Sequence, residues 1–312
     1  WIAGSQTNYG FGVFLQDETA FSSSYTKKFF TRDSEFFFKR PVIEARWDST
    51  KRDDRGNFFF SSSLATSEDN LNTLFLYNYV RGRLRNIPDI GTGSIYVSVY
   101  SGSADNSAAS GSRIRLVQDG THVASTNAFV VTGGYFATGT YTASLALTSA
   151  ANPLTTAFDV WHSGTTQYNT SSFTPKKLDA SAYNPYSKHV INITNLRDRY
   201  YRNETAQFRL YTRNKDWTPT IYVKASAVPE NLIVDSGSFK IIRLVDNFEA
   251  IPFGTGSENH TQLSFDNSGS YFDLDMTLLQ ADYAYGVKFA FYDDTAKSWN
   301  EYPDIFKFRV EE

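Results

Sequence analysis

Apolar and polar positions alternate with a period of two through most of the chain. Leu74–Val80 sets Phe75, Tyr77 and Tyr79 on one face and Leu74, Leu76 and Val80 on the other. Both faces are apolar, which predicts a strand covered on both sides. Ile95–Tyr100, Arg113–Val117, Tyr141–Leu147 and Phe158–Trp161 read as further strands, with a hairpin turn over Gln118–Thr121. Ser101–Ser112 has no large apolar residue and reads as an exposed loop. Beyond a polar linker at Asn184-Pro185 a second series follows: Val190–Ile193, Gln207–Tyr211, Ile221–Lys224, Phe239–Val245, Tyr271–Met276, the run ending at Phe291, and Ile305–Val310. In each series a Tyr, Tyr141 and then Tyr283, follows a turn and opens a long late strand, as in the tyrosine corner of β-sandwiches. The fold expected is all-β: tandem immunoglobulin-like or jelly-roll-like sandwiches over 67–178 and 179–312.

The first 66 residues are too few for a sandwich of their own. Phe11–Leu15 is a short strand candidate. Val42–Trp47 alternates, with Ile43, Ala45 and Trp47 on one face and Glu44 and Arg46 on the other. These features suggest the C-terminal part of a sandwich that is incomplete at its N-terminus, followed by a linker. The chain opens on Trp1 and its single methionine is Met276, so it is expected to continue a longer chain or to be a processed product. Phe36–Phe60 then reads as a joint between domains. Arg40, Glu44, Arg46, Trp47, Asp53, Asp54 and Arg55 are its candidate interface residues, with Trp47 expected in a core.

Composition supports this picture and narrows the chemistry. The 26 Phe and 20 Tyr, set between Gly, Ser, Asn and Asp clusters, favour strands. The absence of cysteine removes disulfides, thiolate metal sites and cysteine nucleophiles. A net charge of −3 argues against a nucleic-acid partner, and no apolar run is long enough to predict a membrane span. Charge is unevenly spread. Residues 1–178 carry 16 Lys and Arg against 14 Asp and Glu; the remainder carries 14 against 19. That asymmetry suits packing between copies, and a solvated acidic surface explains it equally well.

No motif points to catalysis, a cofactor or a metal. His122, His162, His189 and His260 lie at no metal-ligand spacing. Asp53-Asp54-Arg55-Gly56-Asn57 has turn chemistry, but lacks the D-x-[DN]-x-[DN]-G of a calcium loop and carries its own arginines. It reads as a charged turn with internal ion pairs. Asp273 and Asp275 share a strand face about 7 Å apart, a pair that a glycosidase would use only across a cleft. Arg81, Arg83 and Arg85 fit phosphate contacts, the exposed face of a continuing strand, or an interface with an acidic neighbour. The sequons at Asn169, Asn192, Asn203 and Asn259 are expected by chance in a chain this rich in Asn, Ser and Thr.

The runs FFFKRPVIEARWDSTKRDDRGNF, LNTLFLYNYVRGRLRNIP, YFDLDMTLLQADYAYGVKFAFYDD and PDIFKFRV resemble structural proteins of tailed bacteriophages, particularly marine ones. The resemblance spans most of 25–310 and is strongest over Phe36–Pro88 and Tyr271–Val310. It implies a non-enzymatic virion component built from β-sandwich modules (tail, neck, baseplate, fibre or capsid surface). Its partners would be other virion proteins and copies of itself. It implies no catalytic residue. A receptor- or carbohydrate-binding adhesin, with a host surface glycan as partner, is the alternative, motivated by the aromatic-rich β-domains and the Ser101–Ser112 loop.

Overall fold

The strand periods of residues 72–173 become one set of antiparallel ladders. The computed structural model describes residues 7, 28–42, 44, 46–102, 109, 111–118, 127–148, 154–177, 189–217, 231–254, 256–293 and 296–312. Ile43 and Ala45, the strand candidates Phe11–Leu15 and Ile221–Lys224, His122, the Asp119-Gly120 turn and most of the Ser101–Ser112 loop lie outside those residues. The chain divides into two compact units, 1–44 and 45–312.

The described residues of the first unit contain no strand. A 3-10 turn spans Phe37–Lys39. Lys39 lies 5.2 Å from the Phe30 ring and 4.9 Å from the Phe36 ring. Arg40 closes the turn by donating Nε–H to the Ser34 carbonyl at 2.8 Å. Phe29, Phe30 and Phe36 are exposed.

Two hydrophobic cores make up the second unit. The first belongs to a sandwich of β1 (Asn72–Tyr77), β2 (Tyr79–Val80), β3 (Arg83–Leu84), β4 (Ile95–Ser101), β5 (Arg113–Ile114), β6 (Leu116–Val117), β7 (Asn127–Ala128), β8 (Val131–Ala137), β9 (Thr140–Leu147), β10 (Ala157–Ser163) and β11 (Thr166–Phe173). The pairing order is β11-β10-β4-β8-β9-β6-β7, with β1 on β9 and β5 on β4. β8 changes layers along its length: Val131–Gly133 pair with β4, and residues from Gly134 onward with β9. Leu74 and Leu76 of β1 and Tyr141, Ala143, Leu145 and Leu147 of β9 enclose the core with Ile95, Val97 and Val99 of β4 and Trp161 of β10. Each set sits at alternate positions, as the period predicts. β1 is buried on both faces, Phe75 included, but only to Tyr77. Tyr79 and Val80, read as its continuation, belong to an exposed hairpin.

The second sandwich comprises β12 (His189–Ile193), β13 (Arg199–Tyr201), β14 (Thr205–Asn214), β15 (Gly237–Arg243), β16 (Phe248–Ile251), β17 (Ser264–Asp266), β18 (Gly269–Asp275), β19 (Ala284–Asp293), β20 (Ser298–Glu301) and β21 (Phe306–Glu311). One sheet runs β12-β14-β18-β17 and the other β13-β21-β19-β15-β16, with β20 also on β19. Phe272 of β18 joins the layers: its ring lies 4.1 Å from Phe239 of β15 and 4.9 Å from Phe208 of β14. The chain is nearly all β and folds as tandem β-sandwiches, as its periods indicate.

Two local expectations are corrected. Among the described residues of Val42–Trp47 none is in a strand, and Trp47 is 67% exposed. Alternation states only which face a side chain would take if the backbone paired. The corner tyrosine of the second sandwich is Tyr285, not Tyr283. Its hydroxyl accepts Gln280 N–H at 3.0 Å and donates to Gln280 C=O at 2.9 Å. Tyr141 makes the corresponding pair with Ile87 N–H and Gly91 C=O.

Candidate functional site

The segment Lys51–Ser61 is a strap whose two ends belong to different sandwiches. Its first residues add a short parallel bridge to β17. Asp53 N–H donates to Phe265 C=O, and Phe265 N–H to Lys51 C=O, both at 3.0 Å. Arg52 packs its guanidinium 5.1 Å from the Phe265 ring. Its later residues serve the first sandwich. Phe60 N–H donates to Lys176 C=O and Lys176 N–H to Phe58 C=O, while the Asn72 amide accepts Phe59 N–H and donates to Phe59 C=O. Phe58 and Phe60 are core residues, with the Phe58 ring 4.5 Å from Phe173. The charged turn is therefore a seam between the sandwiches of 72–173 and 189–311.

Between these ends the chain makes a 3-10 turn, Asp54–Gly56, capped by Asp53, whose Oδ1 accepts Arg55 N–H at 3.1 Å. The turn faces the free edge of β1. Asp54 Oδ2 accepts Thr73 N–H at 2.6 Å, and Arg55 Nη2 donates to Phe75 C=O at 3.2 Å. Thr73 and Phe75 point to the same edge, so the two side chains satisfy backbone groups that a neighbouring strand would otherwise take.

Arg55 also forms the centre of a buried ionic cluster. It donates to Asp53 Oδ2 at 2.7 Å and, through Nε and Nη2, to both oxygens of Asp159, at 3.3 and 2.8 Å. Trp161 Nε1–H donates to Asp159 Oδ2 at 2.6 Å. The side chains of Arg55, Asp53 and Asp159 are 11%, 5% and 0% exposed. Burial alone would lower the Arg55 guanidinium, but Asp159 and Asp53 outweigh it and hold it above its ordinary range. Burial pushes the Asp53 carboxyl up to about 6, with Arg55 opposing. Burial likewise pushes Asp54 to about 7, against the Thr73 hydrogen bond and with Asp235 adding to the rise. This arrangement organises the joint: one cation between two carboxylates, with no open coordination position.

Other seam contacts come from far along the chain. Asn57 Nδ2 donates to Asp235 Oδ1 at 3.2 Å and Lys176 Nζ to Gly56 C=O at 3.1 Å. Beside the seam an open cleft of about 200 Å³ is lined by Lys176, Arg213, Trp217 and the asparagines 57, 214, 231 and 267, among others.

Of the interface candidates, Asp53, Asp54 and Arg55 meet in this seam. Arg46 instead pairs with Glu258 at 3.4 Å, and Arg40 and Glu44 lie in the first unit. Asp159 was the residue missed. It shares an inward register with Ala157 and Trp161, and a carboxylate at a core position of a strand signals a buried ion pair. Asp273 and Asp275 are exposed on β18, and Asp275 caps the 3-10 turn that follows. Ser98 Oγ lies 2.9 Å from His162 Nε2. Ser98 is fully buried, and burial with nearby Arg113 holds His162 below its usual range, so the pair is a structural hydrogen bond. Among the described residues no three His, Asp or Glu converge on a metal position.

No family model matches the chain, and no curated protein matches it. Among solved structures it is similar to Salmonella alpha-2-macroglobulin reacted with methylamine. The identity is 11% and the TM-score 0.22, over 72% of this chain and 13% of that one.

Proposed function

We propose that the chain is a non-enzymatic structural component of a tailed-phage virion that acts through protein–protein assembly. The observation that carries this reading is the strap. A buried cation, two buried carboxylates and two core phenylalanines fasten it to the first sandwich, and a backbone bridge to Phe265 ties its other end to the second. A rigid two-sandwich body holds its surfaces at a set spacing, which repeated assembly requires. The virion setting rests on the sequence resemblance of Phe36–Pro88 and Tyr271–Val310. Mass spectrometry of purified particles of the source phage is expected to find the chain in fixed ratio to the other particle proteins. Particles that lack it would sink the reading.

The cleft supports a second reading, a glycan-binding adhesin. A tryptophan, a lysine, an arginine and four asparagines line it at the edge of the seam, a composition that suits a polar ligand. Glycan-array binding that is lost in Trp217→Ala would favour it; a blank array would remove it.

A further inference from the structure

We propose that the β2–β3 hairpin docks on the acidic outer face of the second sandwich of another copy of this chain. The inference rests on the assembly reading above and names the element and the partner surface.

The hairpin stands apart, since β2 and β3 pair only with each other. Arg81 and Gly82 form its tip, both with positive φ (51° and 76°), as a two-residue hairpin turn requires. Its base is fixed. Arg85 N–H donates to Asn78 C=O at 3.0 Å, the Asn78 amide donates to Arg85 C=O at 2.6 Å, and Asn78 N–H donates to Gly139 C=O at 2.8 Å. A preformed element loses little freedom on docking.

The chemistry of the hairpin is unspent. Arg81, Arg83 and Arg85 are exposed, and among the described residues none of their side chains has a hydrogen bond or ion pair. Tyr79 is 61% exposed and Val80 46%. Arginine and tyrosine on a fixed scaffold are the residues that carry binding energy at protein interfaces. Val80 pairs with Arg83, so Val80, Arg83 and Arg85 share one face.

The complementary surface is on β18. Asp273 and Asp275 point outward at the same two-residue spacing as Arg83 and Arg85, about 7 Å along a strand. Both are exposed, and neither has an ion-pair partner among the described residues. They stand opposite Gln207 and Thr205 of β14, which leaves the local face without a cation at those positions. Residues 1–178 carry a net +2 and the remainder a net −5, so the two ends of different copies attract. Two parallel Arg–carboxylate pairs, with Val80 beside them, make a heterologous contact that generates a ring or a filament.

Sedimentation velocity of the full chain across concentration and salt tests this. The wild type is expected to associate at low salt and to dissociate as salt rises. An Arg83→Glu, Arg85→Glu variant and an Asp273→Lys, Asp275→Lys variant should each associate at least ~10-fold more weakly. Circular dichroism should confirm that both remain folded, since all four positions are exposed. An equimolar mixture of the two variants should regain association, because each charge-reversed surface then meets its complement. A wild type that stays monomeric at all concentrations overturns the proposal. So does association that ignores both reversals, or binding of an oligonucleotide that the arginine variant alone loses. If the chain is present in purified particles and only the reversals fail, the hairpin contact is wrong and the assembly reading stands.

Discussion

Trp47 and Arg55 lie eight residues apart, and their roles are the reverse of what side-chain type suggests. Trp47 is 67% exposed, so Trp47→Ala should change the unfolding free energy by no more than about 0.5 kcal/mol. Arg55 neutralises Asp53 and Asp159 in a space where neither can reach water. Removing it in Arg55→Ala leaves buried carboxylates uncompensated, which costs about 3–5 kcal/mol. Arg55→Lys should recover only part of this, because an ammonium cannot span both oxygens of Asp159 and reach Phe75 C=O as well. Urea denaturation of the three variants checks the ordering. A Trp47→Ala protein as damaged as Arg55→Ala would contradict the exposure of the indole.

The strap, as an element, is built from groups whose protonation differs between the folded and unfolded chain. Asp53 and Asp54 titrate near 6 and 7 when folded, and near 4 when unfolded. The folded state therefore holds these protons more tightly. The stabilisation from protonation is fully present below about pH 4 and is lost as pH rises through 6 and 7. Melting temperature should thus rise on going from pH 8 to pH 5.5, and Asp54→Asn should flatten much of that slope. The Asn carbonyl can still accept Thr73 N–H, so the variant should be at least as stable as the wild type at pH 8. A wild-type melting temperature that falls between pH 8 and 5.5 would show that Asp53 and Asp54 are not buried as acids. Strands such as Leu145's and Phe272's were legible because one strand's alternation suffices to place its own core face. The strap was legible only as a dense charged turn. Its burial depends on Asp159, 104 residues beyond Arg55, and on the edges of β1 and β17, which no local pattern records. The described residues of Val42–Trp47 depart from the expected strand for the same reason, since alternation by itself supplies no partner edge.

At the scale of the molecule the question is what makes two sandwiches behave as one body. The seam has two sides. Toward the first sandwich lie the Arg55 cluster, the Asp54–Thr73 bond and the core residues Phe58 and Phe60. Toward the second lie the Phe265 bridge, the Asn57–Asp235 bond and the close approach of Gly56, where a side-chain carbon would come within 2.8 Å of Asn267 Cα. The first side is buried and ionic; the second is thinner and mostly backbone. The seam should therefore open on the second side. Gly56→Leu drives a side chain into the Asn267 backbone and should weaken that side by about 1–3 kcal/mol while leaving both cores intact. The wild type is then expected to melt in one transition and Gly56→Leu in two, with a larger radius of gyration in solution scattering and new tryptic cleavage at Lys51 and Arg52. Phe58→Ala makes the contrast. It removes a ring from the first core and should lower that sandwich's own stability by about 3–5 kcal/mol without creating the cleavage site below the transition. If Gly56→Leu keeps a single unchanged transition and the wild-type scattering curve, the strap's hold on the second sandwich does not depend on Gly56. Rigidity would then have to come from the β17 bridge and the Asn57–Asp235 bond.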